Sequence, residues 1–470
     1  MDIINKIGGL SKYRPKDGYV LNMFEVLETH QDRRKAVEVW ERQGKSKDSF
    51  RWAYKCLKDN LLDGVFLNNF NHLDAGKKNR IECWKRLAQI KALTIADEKI
   101  AAMEVAAQTL RLAEHSGLLE IAISLAKELS YYFGIVNPNI GRYRRYRRKV
   151  RILRIELEKE EKIQYLFTEV HFLTTKGRDI SELESDIINI TDEESDWYRF
   201  NLIKFSLLTL YYQTRSKHIE LINTCKEAIH YFQNSKFLLP YTTSWNFYRQ
   251  MIPHLLAQGK YAEAETNLSK CLALPKPGTS NWHVTLLQKA MIGFYSNKPM
   301  IAYQAWKAAG KKMADHKIIK ECWEVVQAYL SLYAKLGRLD LPIKFRLGRF
   351  LNSVHACSQD KDGANVAIIT VALLHYLLDG KYEDYLTKAS RLPPYWRKHL
   401  RGERQSRKKF FLKMMEKVYH CRFRRYRVEK MAAKDFAAFK AAPRNISIDA
   451  INAEVVPFEA LWEIVLDRLK

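Results

Sequence analysis

Residues 252–275, IPHLLAQGKYAEAETNLSKCLALP, decide the fold. They read as a helix, a tight turn at Gly259 and a second helix. After the turn, Tyr261, Ala264, Leu268 and Cys271 stand at offsets of 2, 5, 9 and 12, which keeps one helical face apolar. The small residue at the fifth offset lets two helices approach, and the larger ones fill the space between hairpins.

The template recurs on both sides. Ser216 is followed by His218, Leu221, Cys225 and Ala228, and Asn297 by Pro299, Ala302, Trp306 and Ala309. Gly380 leads Tyr382, Tyr385, Ala389 and Leu392, and Gly117 leads Leu119, Ala122, Ala126 and Leu129. Arg178 starts a similar set with Ile180, Leu183, Ile187 and Ile190. Gly337 starts a looser one, with Leu339, Ile343 and Leu347 a residue out of step. Four residues ahead of the turn the first helix often carries a Tyr (Tyr212, Tyr333, Tyr376), with Leu255 in the clearest unit. From Arg178 to Gly380 the turns are 38, 43, 38, 40 and 43 residues apart. Such hairpins cannot bury their apolar face alone, so they stack into a superhelix with a concave surface.

The pattern YxxxG-x-Y/L-x-x-A-x-x-x-L/W-x-x-A resembles the tetratricopeptide repeat family over residues 96–392, although that family's period is shorter and stricter. The resemblance implies an all-α, right-handed α-solenoid of antiparallel helix hairpins, whose surface takes a protein or peptide partner. A plain antiparallel helical bundle is the competing reading, and repetition at near-constant spacing weighs against it.

Helical extensions flank the array. Residues 1–95 form an N-terminal helical subdomain or cap, with amphipathic stretches at 21–42, 49–68 and 79–93. Residues 393–470 form a basic C-terminal helical region. There Pro393-Pro394 stops the last repeat, 395–440 makes one or two long helices, and 458–469 makes another. The alternation at 446–456 has the period of a strand but nothing obvious to pair with.

Hydrophobic residues are 47% and charged residues 28%, the composition of a folded chain, and only 19 Gly and 12 Pro fit helices with short loops. Seven scattered cysteines with no CxxC pair read as reduced thiols of a cytoplasmic protein. The first residues, MDIINKIGGLSKYRPKDGY, lack the apolar core of a secretory signal. The longest apolar stretch, 366–378, contains His375 and is too short to span a bilayer. A soluble cytoplasmic protein without a membrane partner is expected.

Charge indicates the partner. The chain has 79 Lys and Arg against 53 Asp and Glu, a net +26 and a pI near 9.6. Nucleic acid is the first candidate, an acidic protein surface the second and an anionic membrane the third. Two segments carry most of the excess. RYRRYRRKVRILR at 142–154 holds eight basic residues and no acid, and 397–430 holds fourteen Lys and Arg against three Glu. Both contain RRYR. In the first, Tyr143 and Tyr146 lie among Arg142, Arg144, Arg145, Arg147, Arg148 and Lys149. In the second, Phe423 and Tyr426 lie among Arg422, Arg424, Arg425 and Arg427. Guanidinium groups bridge phosphates bidentately, and Tyr146 and Tyr426 are candidate stacking platforms for unpaired bases.

The same clusters also suit a solvated helix face with rings packed inward, or a site neutralised by the acidic run at 182–196. A protein–protein adaptor docking an acidic partner, without nucleic acid, is the alternative function. Within 404–419, Phe410, Phe411, Met414 and Val418 are expected to close the core rather than meet a membrane.

No phosphate loop, dinucleotide fingerprint, HExxH, GxSxG or EF-hand loop is present. The adjacent His420 and Cys421 suit neither a zinc pair nor a dyad, and His171, His254 and His375 read as packed residues of first helices. Glu182, Glu184 and Asp186, two residues apart, do not share a helical face. No catalytic residue, metal or cofactor is expected. The leading expectation is a non-enzymatic binding scaffold whose repeats face a protein or peptide and whose basic helices contact RNA or DNA.

Overall fold

The computed structural model describes residues 13–15, 18–30, 32–68, 70, 73–237, 239–311, 316–402, 405–444 and 453–469. Their regular structure is all helical, with no strand among the described residues. The chain divides into two compact units, 1–157 with 237–240, and 158–236 with 241–470.

In the first unit, α1 (Gly18–His30), α2 (Arg33–Arg42) and α3 (Lys47–Phe66) enclose Met23, Leu27, Ala36, Trp40, Phe50 and Leu57. The expected single stretch at 21–42 is broken at Asp32, whose side chain accepts from the Arg34 N–H at 2.9 Å and caps α2. Such a cap contributes about 1 kcal/mol. Trp40 stands edge-on to Phe50 at 5.8 Å, and its indole N–H donates to Ser49 Oγ at 3.0 Å. Helices α4 (Ala75–Ile95), α5 (Lys99–His115) and α6 (Leu119–Tyr131) then pack consecutively, with Leu119, Ala122, Ala126 and Leu129 buried.

A residue in the left-handed region turns each hairpin: Asp97, Gly117, Gly177, Ser216, Gly259, Asn297, Gly337 and Gly380, with φ between 55° and 70°. The N–H after it reaches back to the residue four before the turn. Lys260 donates to the Leu255 carbonyl at 2.9 Å, Lys217 to Tyr212 at 2.9 Å, Arg338 to Tyr333 at 3.0 Å and Lys381 to Tyr376 at 2.9 Å. This is a Schellman-type closure that satisfies carbonyls the helix end would leave open. The recurrent Tyr therefore marks the accepting position. Gly177 rather than Arg178 makes its turn, because glycine adopts positive φ at no steric cost.

α7 (Ile140–Thr175) begins in the first unit and ends in the second. The second unit continues through α8 (Glu184–Thr191), α9 (Tyr198–Thr214), α10 (His218–Gln233), α11 (Thr242–Ala257), α12 (Tyr261–Leu272), α13 (Ser280–Tyr295), α14 (Pro299–Lys311) and α15 (Lys317–Lys335). Helices adjacent in sequence are adjacent in space, a solenoid-like order. The template positions are buried: Leu221, Cys225 and Ala228; Ala264, Leu268 and Cys271; Ala302 and Ala309. Each large apolar side chain buried this way contributes about 1.5–3 kcal/mol. At Gly293 a Cβ would lie 2.7 Å from the Ala302 backbone nitrogen, so α13 and α14 meet backbone to backbone.

Pro253 sits inside α11 and cannot donate to the Arg249 carbonyl four residues earlier. Gln288 Nε2 of the next hairpin donates to that carbonyl at 2.9 Å.

The array departs from its template after Gly337. Instead of a long second helix, 338–346 run without regular structure over α15, fastened by Gln327 Nε2 donating to the Lys344 carbonyl at 2.9 Å, and lead to short α16 (Leu347–Ser353). Pro342 removes a helical donor in this stretch. α17 (Ala364–Leu378) and α18 (Tyr382–Ala389) restore the hairpin, with Tyr385, Ala389 and Leu392 buried. Pro393 and Pro394 open α19 (Leu392–His399), since a first turn needs no N–H there.

α20 (Ser406–His420), α21 (Arg425–Ala441) and α22 (Phe458–Arg468) close this end. Phe411, Met414 and Val418 are buried, and Phe411 stacks on Phe458 at 4.1 Å. Arg404, at the start of the expected amphipathic stretch, lies outside the described residues, as do 446–452 of the expected strand. Its described remainder, 453–456, is irregular and buried. No helix among the described residues is long and apolar enough to cross a membrane.

Candidate nucleic-acid interface

The first basic segment lies in the N-terminal half of α7. A π-helical turn, Tyr132–Val136, ends α6 and widens the backbone, with Asn137 N–H donating to the Tyr132 carbonyl at 2.8 Å. Asn139 then starts α7. Its side chain accepts from the Arg142 N–H at 3.0 Å and its carbonyl from the Tyr143 N–H at 2.9 Å.

This corner decides which way the rings face. Gly134 has no Cβ, and one built there would lie 3.1 Å from the Tyr143 ring, so Tyr143 packs closely on the π turn. Tyr146 stacks on buried Phe133 at 5.9 Å and 9°. The Arg142 guanidinium covers the same Phe133 ring at 5.0 Å, and Lys149 is half-buried in an ion pair with Glu114 of α5. Four of the eight positions at 142–149 thus face inward or cover the corner: Arg142, Tyr143, Tyr146 and Lys149.

Arg144, Arg145, Arg147 and Arg148 face outward and are exposed, as are Arg151 and Arg154. Among the described residues, no hydrogen bond or ion pair holds any of these six side chains. At about 100° per residue, they fan over an arc of about 180°. Arg144, Arg148 and Arg151 form the central ridge, Arg147 and Arg154 one flank, and Arg145 the other.

Three acids of the run at 182–196 pair within the second unit. Glu184 pairs with Arg215 at 3.3 Å and accepts from Tyr211, Glu193 pairs with Lys162 at 2.6 Å, and Asp196 pairs with Lys236 at 3.8 Å.

Part of the second basic segment is internal wiring. Arg407 is buried, its Nε 2.9 Å from Glu454 and its Nη2 2.7 Å from Glu459. Lys408 donates to the Asp362 carbonyl at 2.6 Å, Lys417 pairs with Asp435, and Arg425 pairs with Glu429 at 3.1 Å and Asp467 at 3.8 Å. Arg422, Arg424 and Arg427 remain exposed beside Tyr426, whose ring is 74% exposed. Their turn holds two successive non-glycine residues at positive φ, Arg422 (51°) and Phe423 (58°), a strain of about 1 kcal/mol or more each. Phe423, against Tyr382 at 4.5 Å and Tyr385 at 5.4 Å, pins it.

The histidines divide. His254 is buried, its Nδ1 2.7 Å from Nδ1 of His218, and burial followed by the charge of His218 lowers it to about 3. Burial likewise lowers His375 to about 4, partly offset by its bond to the Ala328 carbonyl at 3.0 Å. His171, expected to be packed, is exposed on α7 beside Phe167. Among the described residues no group of three His, Cys, Asp or Glu converges as metal ligands would.

Two clefts of the second unit went unnoticed in the sequence. One, about 860 Å³, lies between α10 and α12 over Tyr248 and Met251 of α11, and the Lys226–Glu263 pair (2.7 Å) joins its walls. The other, about 770 Å³, is lined by Lys344, Arg346 and Arg349 over Phe345 and Phe350. The only local signal for the second was the alternation IKFRLGR at 343–349.

Compared with known proteins, the chain matches no family model, no curated protein and no solved structure.

Proposed function

We propose that the protein is a non-enzymatic helical-repeat scaffold, similar to tetratricopeptide arrays, that contacts nucleic acid through the N-terminal half of α7. One observation carries this reading: six outward guanidinium groups stand within eleven residues, and none is in an ion pair among the described residues. Like charges held this closely repel, and a phosphate backbone relieves the repulsion while releasing counterions. Arg422, Arg424, Arg427 and Tyr426 support a further contact of the same chemistry. The cleft over Tyr248 and Met251 suits the protein or peptide partner that the resemblance implies.

A fluorescence-anisotropy titration with a 20-nucleotide probe at 50 and 200 mM KCl tests the reading. Six phosphate contacts correspond to a log–log salt slope of about −5, a loss of about 10³ in affinity across that range. Arg144→Glu, Arg145→Glu, Arg147→Glu and Arg148→Glu together should abolish binding while circular dichroism stays unchanged. No salt-sensitive binding of any probe at micromolar protein would sink the proposal.

A further inference from the structure

We infer that the polyanion suited to α7 is double-stranded DNA, its major groove lying along the arginine face of the helix and both backbones held. This inference rests on the proposed nucleic-acid function and narrows it.

Charge density is the first argument. Arg144 to Arg154 spans ten helical steps, about 15 Å, and carries six uncompensated guanidinium groups. B-form DNA presents one phosphate per about 1.7 Å when both strands are counted and one per about 3.4 Å on a single strand. Over 15 Å that is about nine phosphates against about four. Six arginines outnumber what one strand offers and fall within what two strands offer.

The second argument is direction. With Arg144, Arg148 and Arg151 at the centre, Arg147 and Arg154 point to one side and Arg145 to the other. A single strand meets one line of charge, whereas a groove has a backbone on each side. The major groove of B-form DNA, about 12 Å wide, admits an α-helix of about 10–12 Å diameter. The major groove of A-form RNA is deep and narrow and does not. Ile152 and Ile155, both exposed, share the arc and offer apolar contact to a groove floor where thymine methyl groups lie.

The rings supply the third argument. Single-strand binders pair a cationic track with open aromatic platforms. Here Tyr146 is stacked on Phe133 and Tyr143 is packed on Gly134, so the stretch 144–154 offers no ring of its own to an unpaired base, and exposed Tyr165 stands eleven residues beyond Arg154.

The experiment uses the full chain and four probes at 100 mM KCl: a 20-base-pair DNA duplex, each of its strands, and the RNA duplex of the same sequence. The DNA duplex should bind at least tenfold more tightly than the other three. Arg147→Glu with Arg154→Glu on one flank, and Arg145→Glu on the other, should each weaken duplex binding at least tenfold, with circular dichroism checking the fold. Equal or tighter binding of a single strand or of the RNA duplex overturns the inference and leaves nucleic-acid binding standing. Loss from one flank alone overturns the two-backbone geometry. Binding of none of the four overturns both.

Discussion

Replacing Arg407 with Met should release the closing segment at 453–469 while leaving the rest of the fold in place. Arg407 is 6% exposed, and its guanidinium lies 4.1 Å from the centre of the Phe439 ring. It forms bonds of 2.9 and 3.0 Å to Glu454 and of 2.7 Å to both oxygens of Glu459. Without it, buried Glu454 keeps the Phe458 N–H at 3.1 Å and Arg444 at 3.8 Å. Removing one partner of a buried ion pair costs about 3–5 kcal/mol, mostly because the other charge stays buried without its counter-ion. At about 1.4 kcal/mol per factor of ten, amide exchange protection in 453–469 should fall roughly 10²- to 10⁴-fold.

Hydrogen exchange read by mass spectrometry measures this against α1–α3 as internal reference. Adding Glu454→Gln to Arg407→Met should recover part of the loss. The effect should also shrink in acid. Burial pushes the Glu459 carboxyl up, but the Arg407 bond and charge, with Arg444, outweigh it and hold the group below its ordinary value. A carboxyl lowered by folding stabilises above its unfolded pKa and loses that contribution as pH falls. The variant lacks most of that contribution, so its ratio to wild type should narrow below about pH 4.5. A protection loss under tenfold, or an equal loss in α1–α3, would refute the reasoning.

Stability should be flat between about pH 7 and 8 and fall towards pH 5, because His254 and His375 are neutral when folded and protonate on unfolding below about 6.5. Each costs about 2 kcal/mol by pH 5, seen as a lower urea midpoint that His375→Gln makes less pH-dependent. Ellman's reagent at pH 8 should titrate Cys56 quickly and all seven thiols only after denaturation. The other six are buried, and burial pushes the Cys83 thiol up to about 11 and the Cys271 thiol up to about 12. Gly293→Ala should lower the melting temperature, costing about 1–3 kcal/mol, because its Cβ meets the Ala302 backbone at 2.7 Å. Gly310→Ala, with nothing within 4 Å of its Cβ, should raise the melting temperature through a gain of about 0.5 kcal/mol in helix propensity.

The hairpins were legible because their signals are local. A left-handed turn residue, a carbonyl four places earlier and an apolar face at fixed offsets all lie within twenty residues of one another. The basic half of α7 was legible as charge, but the separation of Arg144 from Lys149 was not. That sorting depends on Phe133 and Glu114, which lie on other elements. Arg407 looked like its neighbours for the same reason, since its partners follow 47 and 52 residues later. The missing second helix after Gly337 had a local sign in Pro342, outweighed by apolar residues only one place out of register. His218, partner of His254, reads in sequence only as a turn-flanking position, because the distance between hairpins is not written in either helix.

The closing segment also bears on how the protein is made. Each hairpin turn closes a few residues after its first helix, so hairpins can form as the chain leaves the ribosome, one behind another. Tyr295 is different: its hydroxyl donates to the Glu454 carbonyl at 2.9 Å, a partner synthesised 159 residues later. Until then, the place at the Tyr295 end of α13 that Glu454 covers stays open on the nascent chain. At about 5–20 residues per second, that leaves roughly 8 to 30 seconds after Tyr295 is made in which a chaperone finds apolar surface there and nowhere on the finished fold at that place.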